Sequence, residues 1–162
     1  MTQPKQVNPI LLRKERLALL IELNLITHER KSLYDRLTAL ASSIISAPVS
    51  LMSIVASDRQ VFKSAFGLDL KETPLSHSFC QHVVTTQKPL VVRDAREDEV
   101  LKDNLAIHDL GVIGYLDIPI RPMDGMTLGS FCVIDSEPRE WSYVEIAIMQ
   151  ELTQILTREI DL

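Results

Sequence analysis

The segment from Ile113 to Asp135 constrains the fold of this chain more than any other. It reads as two strands joined around Asp124-Gly125, a dipeptide suited to tight hairpins because both central positions tolerate positive φ. The returning strand, Leu128 to Asp135, stops sharply at Asp135-Ser-Glu-Pro, and a long amphipathic segment follows.

Upstream, Asn8-Pro9 reads as a helix start, with Asn8 as N-cap and Pro9 where a missing N–H is harmless. This helix is predicted to reach about Leu23. Its apolar positions Leu12, Leu17, Leu19, Leu20 and Leu23 nearly encircle it, so it must bury more than one face. A second helix is predicted from Thr27 to Ser46, with Leu33, Leu37, Leu40, Ala41 and Ile44 forming one buried stripe. Residues 48–56 read as a strand, Ser57-Asp58-Arg59 as a turn, and Gln60 to Ala65 as the returning strand. Gly67 to His77 reads as a loop. Ser78 and Gln81 form a capping box that opens a short helix to about Thr86. Pro89 to Val92 is a strand, and Asp94 and Asn104 open short helical turns. Ser142 and Glu145 make a second capping box, with Trp141 and Ile146 placed as a hydrophobic staple. The last helix carries Ile148, Met149, Leu152, Ile155, Leu156 and Ile160 on one face.

The order α-α-β-β-α-β-α-β-β-α predicts an α+β domain built on a largely antiparallel sheet of five to six strands. One domain is expected over 1–162: N-terminal helices at 9–46, sheet and short helices at 48–135, and a C-terminal helix at 142–160. The length, 162 residues, suits one real core, and 46% hydrophobic with 24% charged residues is a soluble globular balance. A net charge of −5 with no basic stripe argues against nucleic acid as a partner. No apolar run approaches the roughly 20 residues that span a bilayer, and the first residues lack the order of a signal peptide. Two cysteines far apart in sequence make neither a disulfide framework nor a zinc spacing. These features predict a reduced, cytoplasmic protein with no metal site and no membrane partner.

The pieces Asp58 to Ser64, Glu72-Thr-Pro, Ser78-Phe-Cys80, Pro89-Leu-Val-Val, Asp94-Ala and Leu128 to Asp135 stand in an order that resembles the GAF domains at the front of bacterial sensor kinases and cyclic-dinucleotide enzymes. The resemblance runs from about Glu15 to the C-terminus. It implies that the first, second and last helices pack on one sheet face, while short helices and loops roof a small-molecule pocket on the other. It also implies a sensory or regulatory role in bacterial signal transduction. The chain is expected to stand alone, to form a homodimer through its terminal helices, and to signal through that geometry or through a partner protein. Two alternatives stand beside this: a small redox enzyme resembling the free methionine sulfoxide reductases, which rely on more cysteines than the two present, and an interaction module with a vestigial pocket.

Ser53, Phe62, His77, Phe79, Cys80, Tyr115, Asp117, Ser130 and Cys132 are the candidate pocket residues; none is assigned a catalytic role, and no ligand or cofactor is named by the sequence. Cys80 lies at a helix start, where amides favour a thiolate, and His77 and His82 flank it; burial as a small apolar residue is the preferred reading. Cys132 is in phase with Ser130 and Ile134. Whether the cysteines approach each other is open, and if they do a redox pair becomes possible. Asp117 is the most unusual residue, a carboxylate in mid-strand. It reads either as a pocket anchor for a cationic or hydroxyl-bearing ligand, or as a surface edge residue or a salt-bridge partner of Arg59 or Lys63. A tetrapyrrole attachment is disfavoured because Cys80-Gln-His82 is spaced one residue too widely. Haem ligation by His77 or His82 is weighed below a structural role for those histidines. The acidic cluster around Glu97 to Asp103 reads as a solvated face.

Overall fold

The computed structural model describes residues 8–27, 29, 31–123 and 125–160. Its centre is a six-stranded antiparallel sheet in the order β3-β2-β1-β6-β5-β4, formed by β1 (Val49–Val55), β2 (Arg59–Phe66), β3 (Glu72–Pro74), β4 (Leu90–Val92), β5 (Gly114–Ile120) and β6 (Gly129–Asp135). Strands β1, β5 and β6 alternate strictly, and β2 alternates up to a bulge at Lys63, opposite Met52 and Ser53. Met52, Ile54, Leu116, Ile118, Phe131 and Val133 face one side, and Leu51, Val55, Tyr115, Cys132 and Ile134 face the other. Helices α2 (Ser32–Ile45) and α5 (Tyr143–Ile160) cover the first side. Helix α3 (Cys80–Thr86), a turn at Leu75–His77 and helix α4 (Ala106–Leu110) cover the second.

The expected caps are present. Asn8 accepts from the Ile10 N–H at 3.0 Å, and Asp94 from the Arg96 N–H at 3.0 Å. The box before α5 is reciprocal: Glu145 N–H donates to Ser142 Oγ at 3.1 Å, and Ser142 N–H to Glu145 at 2.9 Å. The box before α3 is only half made. Gln81 N–H donates to Ser78 Oγ at 3.2 Å, but the Gln81 side chain donates instead to the carbonyls of Leu75 and Ser78. In the β5–β6 hairpin, Gly125 takes φ +74° as its turn requires, and Met126 N–H donates to Met123 C=O at 3.1 Å. Asp124 lies outside the described residues.

Two expectations are corrected. The loop from Gly67 to His77 contains strand β3, which pairs with Arg59 to Val61 of β2. Three residues are too short to show a period, and Pro74 is tolerated because the strand is an edge. The first helix is not one helix on one face. A 3-10 turn at Pro9–Leu12 ends at Arg13, whose backbone is extended, and α1 (Lys14–Glu22) begins after it. Leu11 is buried beside α3 on the pocket side, whereas Leu20 of α1 is buried with α2 and α5. Of the positions in the all-round pattern, Leu17, Leu19, Leu20 and Leu23 pack on the α2–α5 side and Leu12 is exposed, while Leu11, outside that pattern, enters the other core. Arg16 fixes the crossing: its buried guanidinium donates through both terminal nitrogens to the Val55 carbonyl at the end of β1. Burial lowers it to about 10.

Candidate functional site

Under α3 and α4 lies a cavity with about 30 Å³ of free space, enough for a water-sized molecule. Six of the nine candidates line it: Ser53, Phe62, His77, Phe79, Cys80 and Tyr115. Leu51, Leu68, Leu110 and Val112 add apolar wall. Asp117, Ser130 and Cys132 do not line the cavity; they form a buried layer beneath it. The reading of Asp117 as an edge residue is corrected. Its strand lies between β4 and β6, the side chain is fully buried, and its bonds go to Tyr115 and Ser130. Arg59 instead pairs with Asp58 at 3.2 Å and Glu72 at 3.3 Å, and Lys63 donates to the carbonyls of Asn24, Thr27 and Glu29.

The sequence reading missed Gln60. This side chain is buried and lines the cavity. Its Nε2 donates to Thr73 Oγ1 at 2.7 Å and to the His77 carbonyl at 3.1 Å. A carbonyl only accepts, so these bonds fix which end of the amide is nitrogen. Oε1 is then left without a partner, as is Ser53 Oγ. The alternation of β2 puts Gln60 in phase with Phe62, and that was the available signal. His77 is held at the rim, with Nε2 2.7 Å from Asp109 and Nδ1 3.0 Å from Ser76 Oγ. His82 belongs to a separate groove with Leu75 and Thr85.

The polar layer is a continuous chain. Cys80 Sγ lies 3.0 Å from Tyr115 Oη; Tyr115 donates to Asp117 Oδ2; Ser130 Oγ donates to the same oxygen at 2.8 Å. Phe79 stands edge-on to the Tyr115 ring, with centroids 4.9 Å apart. Asp117 Oδ1 has no partner. Burial, then the nearby Cys80 charge, pushes the Asp117 carboxyl well above its ordinary range. Burial works against a thiolate at Cys80 too, but hydrogen bonds involving Cys132, Ser130, Ser53 and Tyr115 outweigh it and bring the thiol down to about 6. Ser53 contributes by proximity, since its hydroxyl completes no bond of good geometry. Burial and the bond to Cys80 push Cys132 well up. Tyr115 and Ser130 each own one proton, and both now point at Asp117. They can serve Cys80 only when Asp117 is protonated.

The chain belongs to the GAF domain family, whose family model matches residues 29–160. It is 33% identical over 119 residues to a cyclic di-GMP phosphodiesterase of Pseudomonas aeruginosa, covering 73% of this chain but only 20% of that protein. Among solved structures it is similar to the GAF domain of an Acinetobacter phosphoenolpyruvate-protein phosphotransferase, with a TM-score of 0.65, 14% identity, and coverage of 92% of this chain and 94% of that one. The free methionine-R-sulfoxide reductase of Neisseria meningitidis, solved in complex with its substrate, matches with a TM-score of 0.65 at 16% identity, covering 99% of this chain and 95% of that one. Likeness at these structural identities speaks to the fold, not to the site. Among the described residues no helix is long and apolar enough to cross a membrane, and no three His, Cys, Asp or Glu side chains are grouped to hold a metal.

Proposed function

We propose that this chain is a sensory GAF domain of bacterial signal transduction that binds a small molecule in the cavity beneath α3 and α4. The observation that carries this reading is the pair of buried, unpartnered polar atoms on the cavity wall, Ser53 Oγ and Gln60 Oε1. A buried polar group without a partner costs about 1–3 kcal/mol, and a ligand that bonds both atoms recovers that cost. Gln60 Oε1 can only accept, so the ligand must bring an N–H or O–H donor. The apolar wall asks for a compact body, and a cavity of about 30 Å³ admits a larger one only if the roof moves. Native mass spectrometry of the purified protein should detect a bound small molecule in the wild type and lose it in Gln60→Leu. Identical spectra of the two proteins would remove this reading.

The signal leaves through the helical layer. Leu40 and Ile44 of α2 and Ile155 of α5 are each more than 40% exposed, on two helices that pack side by side. A second copy covering this stripe gives the homodimer, and the relationship to a cyclic di-GMP phosphodiesterase supports an output in cyclic-dinucleotide signalling, through an attached enzyme or a partner protein. Light scattering should report a dimer at high micromolar concentration, and Ile44→Glu should convert it to a monomer.

A further inference from the structure

The ligand reading uses Ser53 and Gln60 and leaves the thiols unexplained. Two buried cysteines, contributed by α3 and β6, belong to one buried cluster in which α3 packs directly on β6. Only Cys80 reaches the cavity, while Cys132 sits behind it. Tyr115 Oη stands 3.0 Å from Cys80 and is bonded onward to the Asp117 carboxyl. A pair of thiols behind an opening of this size, with a hydroxyl and a carboxyl aligned on the outer one, is more than packing requires. Beside it stands the unpartnered, fully buried Ser53 Oγ, on the wall of the same cavity.

We infer that Cys80 and Cys132 form a peroxide-oxidisable dithiol, and that Tyr115 and Asp117 move the proton that Cys80 gives up and the peroxide takes back. In the resting thiol form Cys80 S–H donates to Tyr115, which donates to Asp117. Transfer along that line leaves a Cys80 thiolate, a neutral Tyr115 and a protonated Asp117. Hydrogen peroxide is little larger than water and fits the cavity. The thiolate attacks one peroxide oxygen and the O–O bond breaks. The departing hydroxide takes the proton returned from Asp117 through Tyr115, leaving as water. Cys80 is now a sulfenic acid. The Cys132 sulfur attacks it, losing its proton to the departing hydroxyl, and a second water leaves as the S–S bond forms. Two thiols and one peroxide thus become one disulfide and two waters. The inference shares the cavity with the ligand reading but does not rest on it.

The test is hydrogen peroxide treatment of the native protein, followed by denaturation, alkylation and peptide mass mapping. The expected product is a reductant-sensitive link between the Cys80 and Cys132 peptides, with loss of both free thiols. In Cys132→Ala, dimedone should trap a sulfenic acid at Cys80. Tyr115→Phe and Asp117→Asn should slow wild-type disulfide formation by about tenfold or more, with unchanged circular dichroism. Two free thiols after excess peroxide would overturn the inference, as would dimedone labelling of Cys132 in Cys80→Ala. Oxidation of Tyr115→Phe at the wild-type rate would overturn the relay. Should the cysteine variants fail to fold, the peptide map of the wild type decides the matter alone.

Discussion

The two faces of one sheet are built to different rules. On the side of α2 and α5 the core is mainly hydrocarbon, with Phe131, Leu116, Ile120 and Leu128 at no measurable exposure, and the buried polar residues Thr38, Ser42, Lys63, Ser64 and Thr153 all have hydrogen-bond partners. On the cavity side the same strands present Ser53, Gln60, Tyr115, Asp117, Ser130 and Cys132, with Cys80 of α3 packed over them. Three of the four buried polar atoms found without a partner among the described residues are there: Ser53 Oγ, Gln60 Oε1 and Asp117 Oδ1. Strand alternation is what makes the division possible: each strand lends one row to stability and the next to chemistry. Stability is concentrated on the helix side, so the cavity side can hold groups that cost free energy.

The sharpest way to break the comparison is to damage the helix side. Phe131→Ala should lose about 3–5 kcal/mol by urea unfolding while leaving the cavity residues untouched. Gly129→Ala should cost less, about 3 kcal/mol, and should harm both faces together. A Cβ at Gly129 would lie 1.9 Å from the Ser53 carbonyl, so β6 could no longer approach β1 beside the cavity.

The carboxyl sharpens the contrast through pH. Asp117 holds its proton in the fold well above 3.8, where the unfolded chain releases it, so the folded state loses stability as pH rises past that value. Cys80 acts with the opposite sign. Its thiol falls from 9.0 to about 6, so the fold gains stability as pH rises from about 6 to 9, and that gain is lost again as pH falls through 6. Asp117→Asn removes the first effect and keeps the shape. It should be more stable than wild type at neutral pH by about 1–2 kcal/mol, and calorimetry across pH should show the Cys80 rise unmasked. The smallest change is expected from Ser53→Ala. Removing a hydroxyl that bonds nothing should leave stability within about 1 kcal/mol of wild type, or slightly above it. A large loss would show that Ser53 has a partner in solution.

What the sequence disclosed follows the same division. The helix side is legible in part because periodicity and capping are local: Leu37 and Ala41 of α2, Met149, Leu152, Leu156 and Ile160 of α5, and the Ser142–Glu145 box need no knowledge of distant residues, whereas Leu40, Ile44 and Ile155, read into the same stripes as buried, are exposed. Edge β3 was hidden by its brevity, and the break at Arg13 by a helical pattern that continues across it. Ser53, Phe62 and Tyr115 line the cavity through strand phase, and His77, Phe79 and Cys80 through the turn and helix start that roof it. Gln60 was passed over because its role depends on Thr73 and the His77 carbonyl claiming its nitrogen, a contact that only tertiary structure creates. The meeting of Cys80 with Cys132 is of the same kind: it depends on how α3 lies over β6.

The entry of the chain into the domain works like a strap over the rim of a drum. Leu11 is pressed beneath α3, the helix that begins with Cys80, and a few residues later α1 joins the layer of α2 and α5. Arg16 pins the strap to the end of β1. Any tilt of α3, from a ligand below it or a bond drawn between its cysteine and β6, shifts the seat of Leu11 and pulls on α1. The two faces separated by the sheet are thus joined past the end of its central strand β1, by a tether too short to slacken.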